Sequence, residues 1–238
     1  MNPSDSLPPL RCISSMATRQ LLTRLARQYR QATGIEVALE SVGGVDAARR
    51  LAAGEAFDVA VLASDAVAGL VASGHLAAGS EAVVALSGLA AAVAEGRPAP
   101  RTDTLAQLLR LLGEAGAIGY STGPSGKALL ERLRQWGVLE ALQPRLVQAP
   151  PGQPVAAMVA RGEVDIGFQQ LSEMVHSPGI ALLAELPPEA RIVTAFTAAA
   201  CVPSPRSDEA CAFIRYLCGA QAAEAKQEEG MSPAPVGS

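Results

Sequence analysis

Aromatic side chains are scarce in this sequence, and so is net charge. Phenylalanine, tyrosine and tryptophan make up only 3% of the 238 residues, and 19 basic residues stand against 23 acidic ones. Proteins that bind nucleic acid need a positive surface, and those that bind single strands also stack bases on aromatic rings. The sequence therefore predicts no nucleic-acid partner. Because 49% of the residues are hydrophobic, the chain has ample material for a folded core.

Long apolar runs are also missing. No segment reaches the roughly 18–20 apolar residues that a membrane-spanning helix needs, and the best candidate, residues 83–93, is interrupted by a serine and a glycine. Asp5 and the pair Pro8-Pro9 do not fit the apolar stretch of a secretory signal. We therefore expect a protein that is not embedded in a membrane. It is expected to be cytoplasmic as given, or periplasmic if a leader has been removed.

Signatures of metal sites and of common enzymes are absent as well. The four cysteines form no CxxC pair and have no metal-ligand spacing with His75 or His176, which favours buried thiols in a reducing compartment. The sequence has no GxSxG, HExxH or GxGxxG motif. Residues 121–127 end in Gly-Lys, but Ala128 stands where a phosphate-binding loop needs a hydroxyl for magnesium. We expect no metal and no cofactor.

What the sequence does contain is an alternation of apolar strands and amphipathic helices. Strand patterns at residues 10–14, 35–40 and 57–63 are each followed by a helical pattern. Ser14 or Ser15 is expected to cap the first of these helices. Such an alternation is typical of parallel sheets covered by helices, so it predicts an α/β fold.

The alternation restarts after a proline-containing connector at residues 96–104, which predicts two αβ lobes with a mostly parallel sheet in each. We assign residues 1–86 and 195–238 to lobe I and residues 87–194 to lobe II. The last helices are expected to pack on lobe I.

Small polar residues follow most of the predicted strands. Open α/β sheets bind ligands outside the carboxyl ends of their strands, where helix N-termini favour an anion. These residues therefore predict a small anionic ligand, although each taken alone is also a normal cap or turn residue. The candidate ligand-binding residues are Ser14, Ser15, Met16, Gly43, Gly44, Ser64, Ser121, Thr122, Ser125, Gly126, Gln169 and Gln170. Arg11, Arg19 and Arg49 are possible clamps for a dianion, and the sequence does not choose among them.

Several phrases in the chain resemble the molybdate-binding-protein-like group of type II solute-binding proteins, the substrate-binding subunits of ABC transporters. The resemblance covers about residues 10–231. It rests on Ser14-Ser15-Met16, Ser41-Val42-Gly43-Gly44, the Gly-Pro-Ser-Gly helix start at 123–126, and Ala-Arg-Gly-Glu-Val-Asp-Ile-Gly at 160–167. The resemblance implies a periplasmic-binding-protein-like fold, with the lobes joined by a two-strand hinge and a small anion in the cleft between them. It also implies an ABC permease as partner if the protein is exported.

The chain departs from the molybdate binders at Gln169-Gln170, where they carry a tyrosine. Two amides suit a planar carboxylate better than a compact tetrahedral oxyanion, so we predict an organic carboxylate as ligand. The chain is also similar to aconitate isomerase, in which such a scaffold moves a double bond in a tricarboxylic acid. This similarity implies an alternative function, a cytosolic isomerase of a small di- or tricarboxylic acid. The allylic proton shift needs a base, and the candidates are Ser14, Tyr120, Lys127 and His176.

Overall fold

A computed structural model describes residues 8–96, 100–184 and 186–234. The chain forms two compact units. Unit 1 runs up to Leu86 and resumes at Ala195, and unit 2 runs from Ser87 to Thr194.

Strands and helices alternate along most of the chain, as the periodicity predicts. The strands are β1 (Leu10–Ser15), β2 (Val37–Val42), β3 (Val59–Ala63), β4 (Ala82–Ala94), β5 (Ile118–Tyr120), β6 (Leu146–Gln148), β7 (Ile166–Gln170), β8 (Ile180–Leu182) and β9 (Val193–Ala200). The helices are α1 (Arg19–Thr33), α2 (Gly44–Ala52), α3 (Ser64–Ala72), α4 (Leu105–Glu114), α5 (Pro124–Gln135), α6 (Leu139–Leu142), α7 (Val155–Ala160), α8 (Leu171–Met174), α9 (Ser207–Cys218) and α10 (Ala223–Glu228). β4 and β9 carry the chain from one unit to the other.

Unit 1 has a sheet in the order β2-β1-β3-β9, in which the first three strands are parallel and β9 is antiparallel to β3. Helix α1 buries one stripe of apolar side chains, and Gly34, at a φ of 77°, ends the helix in a conformation that favours glycine. The ring centroid of Tyr29 lies 5.0 Å from that of Phe213, so α9 packs on α1. Helix α9 therefore contributes to the same core as α1.

Unit 2 has the strand order β4-β7-β5-β6, with β8 paired to β4. β5, β6 and β7 are parallel, and β4 is antiparallel to β7. A Cβ atom on Gly167 would lie 2.5 Å from Cγ2 of Val159 and 2.6 Å from Cγ1 of Val155. Only glycine in β7 therefore lets α7 pack so closely on the sheet. This contact brings the first turn of α7 to the carboxyl end of β7.

One aspartate in each unit, buried in unit 1 and half-buried in unit 2, holds the start of two neighbouring strands together. The Asp58 carboxylate accepts hydrogen bonds from the Arg11 amide at 2.8 Å and from the Ser204 hydroxyl at 2.6 Å. The Asp165 carboxylate accepts from the amides of Gly116 and Ala117 at 2.8 and 3.1 Å. Both residues lie before the amino ends of their strands. These two aspartates therefore stabilise the fold at the edge away from the candidate site.

The predicted α/β fold with a mostly parallel sheet in each unit is confirmed, and the differences are local. β7 extends to Gln170, so the two glutamines end the strand rather than follow it. Helix α8, which the sequence analysis did not predict, begins at the next residue. None of the described helices is long and apolar enough to cross a bilayer.

Candidate functional site

The carboxyl ends of β1, β2 and β3 bring the predicted residues of unit 1 to one edge of the sheet. Ser14 stands opposite Ser41 in the register, and their hydroxyl oxygens are 2.8 Å apart. A Cβ atom on Gly44 would lie 3.6 Å from the Cβ of Ser15, so the start of α2 contacts the end of β1. Met16 and Gly43 flank these contacts in the chain, as the first residue of a 3-10 helix and the N-cap of α2.

Ser15 has a buried hydroxyl group without a protein partner. The residue is 6% exposed, and its Oγ makes no hydrogen bond to any described residue. The predicted capping role is wrong, because Ser15 stands at the N-cap of the 3-10 helix without a side-chain bond. Leaving a buried hydroxyl unpaired costs about 1–3 kcal/mol. The Ser15 hydroxyl is therefore available to donate a hydrogen bond to a ligand.

Ser64, the last predicted residue of unit 1, has a hydroxyl that is already engaged. Its Oγ lies 2.7 Å from Oγ1 of Thr197 and donates to the carbonyl oxygen of Ala195 at 3.1 Å. Ser64 begins α3, so these bonds attach the helix start to β9. Its position at the end of β3 agrees with the prediction, but its hydroxyl serves the fold.

The structure distinguishes the three arginines that the sequence left as alternatives. The Arg11 guanidinium lies 4.7 Å from the Phe57 ring centroid, toward the amino ends of the strands. Arg49 is exposed and paired with Asp46. Arg19 lines a groove of about 460 Å³ whose lining also includes Ser41, the partner of Ser14. Of the three arginines, Arg19 is therefore the one that lines a groove together with Ser41.

In unit 2, α5 begins in close contact with the end of β5. A Cβ atom on Gly126 would lie 1.8 Å from the carbonyl oxygen of Ser121, so no larger residue fits there. The hydroxyl oxygens of Ser121 and Ser125 are 3.0 Å apart, and Ser125 is buried. Gly123, which has no side chain to cap the helix, is the N-cap of α5, and Thr122 is half-buried in the same loop. The start of this twelve-residue helix thus offers a favourable place for an anion.

The two glutamines of β7 have different environments. Gln169 is 3% exposed, and its Oε1 accepts from the Val155 and Ala156 amides at 2.9 and 3.3 Å. Its Nε2 donates to Oε1 of Glu173 at 2.8 Å. The Gln169 side chain therefore caps α7 and positions Glu173, which leaves it little capacity for a ligand.

Gln170 points to the other face of β7 and has an unpaired atom. It is 2% exposed, its Nε2 donates to Oγ1 of Thr194 at 2.7 Å, and its Oε1 has no partner among the described residues. Because the Thr194 hydroxyl can donate as well as accept, a rotated amide would present its NH₂ group instead. Gln170 therefore has either an acceptor or a donor free for a ligand.

Glu173 is the functional candidate that the sequence reasoning did not include among the possible bases. Burial raises the pKa of its carboxyl to about 7, although the hydrogen bond from Gln169 acts in the opposite direction. The sequence signal was a glutamate four residues after a glutamine, at the end of a strand. This spacing indicates a contact between the two side chains only when α8 is known to begin at Leu171, because Glu173 then lies in the first helical turn after β7.

The bases proposed from the sequence lie in less suitable places. The Ser14 hydroxyl is bonded to Ser41, and Tyr120 is half-buried at the end of β5. Lys127 is exposed, and His176 is exposed beyond the end of α8.

The cysteines are free thiols, but the expectation that they are all buried is only partly met. Cys12 and Cys201 are buried, whereas Cys211 is half-buried and Cys218 exposed. Burial raises the pKa of the Cys201 thiol to about 12 and raises that of Cys12 as well, so both stay protonated and unreactive. No group of three or more histidine, cysteine or acidic side chains suited to a metal ion occurs in the described part of the chain.

Residues 10–232 match the family model for the bacterial extracellular solute-binding protein. In sequence, the chain is 33% identical over 232 residues to an aconitate isomerase from Pseudomonas sp., covering 95% of this chain and 88% of that protein. These matches bear out the resemblance inferred from the serine, glycine and Asp-Ile-Gly phrases.

Solved structures support the same fold. The periplasmic molybdate-binding protein of Azotobacter vinelandii matches with a TM-score of 0.81 at 20% identity, covering 95% of this chain and 100% of that one. The sulfate-binding protein of Mycobacterium tuberculosis matches with a TM-score of 0.79 at 15% identity, covering 97% and 88%. The fold class predicted from the sequence is therefore confirmed.

Proposed function

The chain belongs to the bacterial extracellular solute-binding protein family, and from that premise we propose that it binds a small organic carboxylate. The observation that carries this proposal is the buried, unpaired hydroxyl of Ser15 at the carboxyl end of β1. A buried donor without a partner is costly in the free protein, and a carboxylate oxygen would pair it.

The surroundings of Ser15 favour an anion with more than one charged group. The start of α2 contacts Ser15 at Gly44, and its backbone amides and dipole favour a negative group. Arg19 lines the groove that also contains Ser41, so a second carboxylate would find a fixed positive charge there. A di- or tricarboxylic acid meets both conditions, with one carboxylate at Ser15 and another toward Arg19.

Gln170 supports an organic ligand over a compact oxyanion such as sulfate. Its free Oε1 needs a hydrogen-bond donor, which a hydroxyl or a protonated carboxyl supplies and a sulfate lacks. With the amide rotated, its NH₂ would donate to a planar carboxylate. The two-amide argument from the sequence is weaker than expected, because Gln169 is engaged by α7 and Glu173.

Calorimetric titration of the full chain with cis-aconitate, citrate, sulfate and molybdate tests this proposal. We expect the tricarboxylates to bind and Ser15→Ala and Gln170→Ala each to weaken binding about tenfold, the loss of roughly one hydrogen bond to a charged group. Ser73→Ala and Gln135→Ala replace exposed residues of the same types and serve as controls. Unchanged affinity in both test variants, or binding of the inorganic anions alone, would contradict the proposal.

A second candidate function is isomerisation of the bound acid. It is favoured by the relative named aconitate isomerase, which matches over 95% of this chain. Proton NMR of the cis-aconitate sample distinguishes the two functions. Line broadening without new resonances indicates a receptor, and resonances of the trans isomer indicate an enzyme.

The two functions also differ in location and partner. A receptor would work outside the cytoplasmic membrane and deliver its ligand to an ABC permease, whereas an isomerase would work in the cytoplasm without one. Fractionation of cells that produce the protein from its native gene, followed by detection with an antibody, separates these proposals.

A further inference from the structure

We propose that Glu173 is the base that moves the proton in an allylic isomerisation of the bound carboxylic acid, and that Gln169 is its positioning residue. This inference rests on the proposed function, because it requires that the bound carboxylic acid contacts Gln170 at the end of β7. It goes further by naming the reacting group, which neither the motif pattern nor the family match identifies.

The first argument is the placement of Glu173. It lies in α8, which begins directly after Gln170, the residue with the unpaired amide atom. Its Oε1 accepts a hydrogen bond from Gln169 Nε2 at 2.8 Å. Glu173 therefore lies in the first turn of α8, at the carboxyl edge of β7 where open α/β sheets bind their ligands.

The second argument is that Gln169 fixes the carboxyl in one orientation. The oxygen of the Gln169 amide is held by the Val155 and Ala156 amides, so the amide cannot rotate without losing both bonds. Its NH₂ group must then face Glu173. A base held in one orientation is ready for proton transfer, because little reorganisation precedes the reaction.

The third argument is protonation. Burial raises the pKa of the Glu173 carboxyl to about 7. A base with a pKa near the working pH is partly ionised there and is more basic than an ordinary carboxylate. Lys127 and His176 are exposed, so neither shares this environment.

The chemical step balances without a cofactor. The ionised Glu173 carboxylate removes a proton from the allylic CH₂ group, and the C–H electron pair is delocalised through the double bond into the adjoining carboxylate as an enolate. The carboxyl group of Glu173, now protonated, then gives its proton to the far vinylic carbon, where the electron pair of the enolate forms the new C–H bond. The double bond has moved by one position, Glu173 is ionised again, and nothing is oxidised or reduced.

The test combines binding and turnover on the same preparations. Wild type, Glu173→Gln and Glu140→Gln are each incubated with cis-aconitate in D₂O and followed by proton NMR, and affinity is measured by calorimetry. Glutamine at 173 keeps an acceptor for Gln169 but cannot take the proton. Glu140 is an exposed glutamate of the same unit and controls for the loss of one charge.

We expect wild type and Glu140→Gln to form the trans isomer, with Glu173→Gln slower by about 10²–10⁴-fold, the usual contribution of a general base. The affinity of Glu173→Gln should remain within about threefold of wild type. Gln169→Met, which has no group to donate to Glu173, should lower turnover more than affinity, and Glu173→Asp should retain part of the rate.

Three outcomes would overturn the assignment, and they are distinguishable. Undiminished turnover in Glu173→Gln removes Glu173 as the base. Binding of cis-aconitate by wild type without any isomerisation removes the reaction but leaves the proposed binding function intact. An absence of binding by folded wild type contradicts the proposed function itself, and the assignment of Glu173 falls with it.

Discussion

Replacing Glu173 by glutamine should stabilise the protein above neutral pH, even though the same change should slow turnover. The glutamate is half-buried beside Gln169, and its folded-state pKa of about 7 compares with an ordinary value of 4.5. The folded protein therefore holds this proton more tightly than the unfolded chain does. Between these two pKa values, the free energy of unfolding falls as pH rises.

The size of the effect follows from the two pKa values. Each pKa unit corresponds to about 1.4 kcal/mol, so complete ionisation of Glu173 costs the folded state up to about 3 kcal/mol. Solvent reaches part of this half-buried side chain, which makes the figure an upper bound. The stability that depends on the protonated form is fully present below pH 4.5 and is lost by about pH 8.

Urea denaturation of wild type, Glu173→Gln and Glu140→Gln at pH 5, 6, 7 and 8 measures this dependence. Trp136, the one tryptophan in the sequence, lies in unit 2 and reports its unfolding. We expect the variant to gain stability relative to wild type steadily from pH 5 to pH 8, whereas Glu140→Gln stays parallel to wild type. Parallel curves for wild type and Glu173→Gln would refute the claim that Glu173 is buried with a raised pKa.

Three further substitutions test the remaining assignments. Ser15→Ala should leave the unfolding free energy of the ligand-free protein unchanged or raise it by up to about 1–3 kcal/mol, because it removes an unpaired buried hydroxyl. A loss of stability in denaturant titrations would show that the hydroxyl has a structural partner. Gly126→Ala should lower the free energy of unfolding by about 1–3 kcal/mol or more, since the new Cβ would lie 1.8 Å from the Ser121 carbonyl oxygen. Gly113→Ala is the control: its new Cβ would have no atom within 4 Å, so the free energy of unfolding should not fall. Asp58→Ala should lower the free energy of unfolding by about 1.5–3 kcal/mol and lower the thermal midpoint, because the Arg11 amide and the Ser204 hydroxyl lose their acceptor. Ligand affinity measured by calorimetry should not change. A specific loss of affinity would assign Asp58 to the ligand site instead.

Local patterns were sufficient to predict most of the secondary structure. The apolar spacing of α1 and the glycine after it marked the helix and its end, because helix periodicity and termination depend on neighbouring residues. The short helix α8 was missed, because four residues are too few to show a period. Its absence from the prediction also hid the position of Glu173.

The candidate ligand residues could be predicted as a group but not individually. Small polar residues after each strand identified the functional edge, because parallel strands present their carboxyl ends together. Which of those residues has a free polar atom depends on contacts across the fold. Ser64 is bonded to Thr197 and Ser14 to Ser41, whereas the Ser15 hydroxyl has no partner in the described part of the chain.

The sequence by itself determined the alternation of strands and helices, the α/β class and the family to which the chain belongs, since these depend on periodicity and short phrases that are local in the chain. Only the tertiary structure decided that Gln169 caps α7 and holds Glu173, while Gln170 keeps a free atom. The two glutamines are adjacent and chemically identical, but alternate residues of a strand face opposite sides of the sheet. Each side chain therefore finds its partners on a different element, and those partners are distant in the sequence.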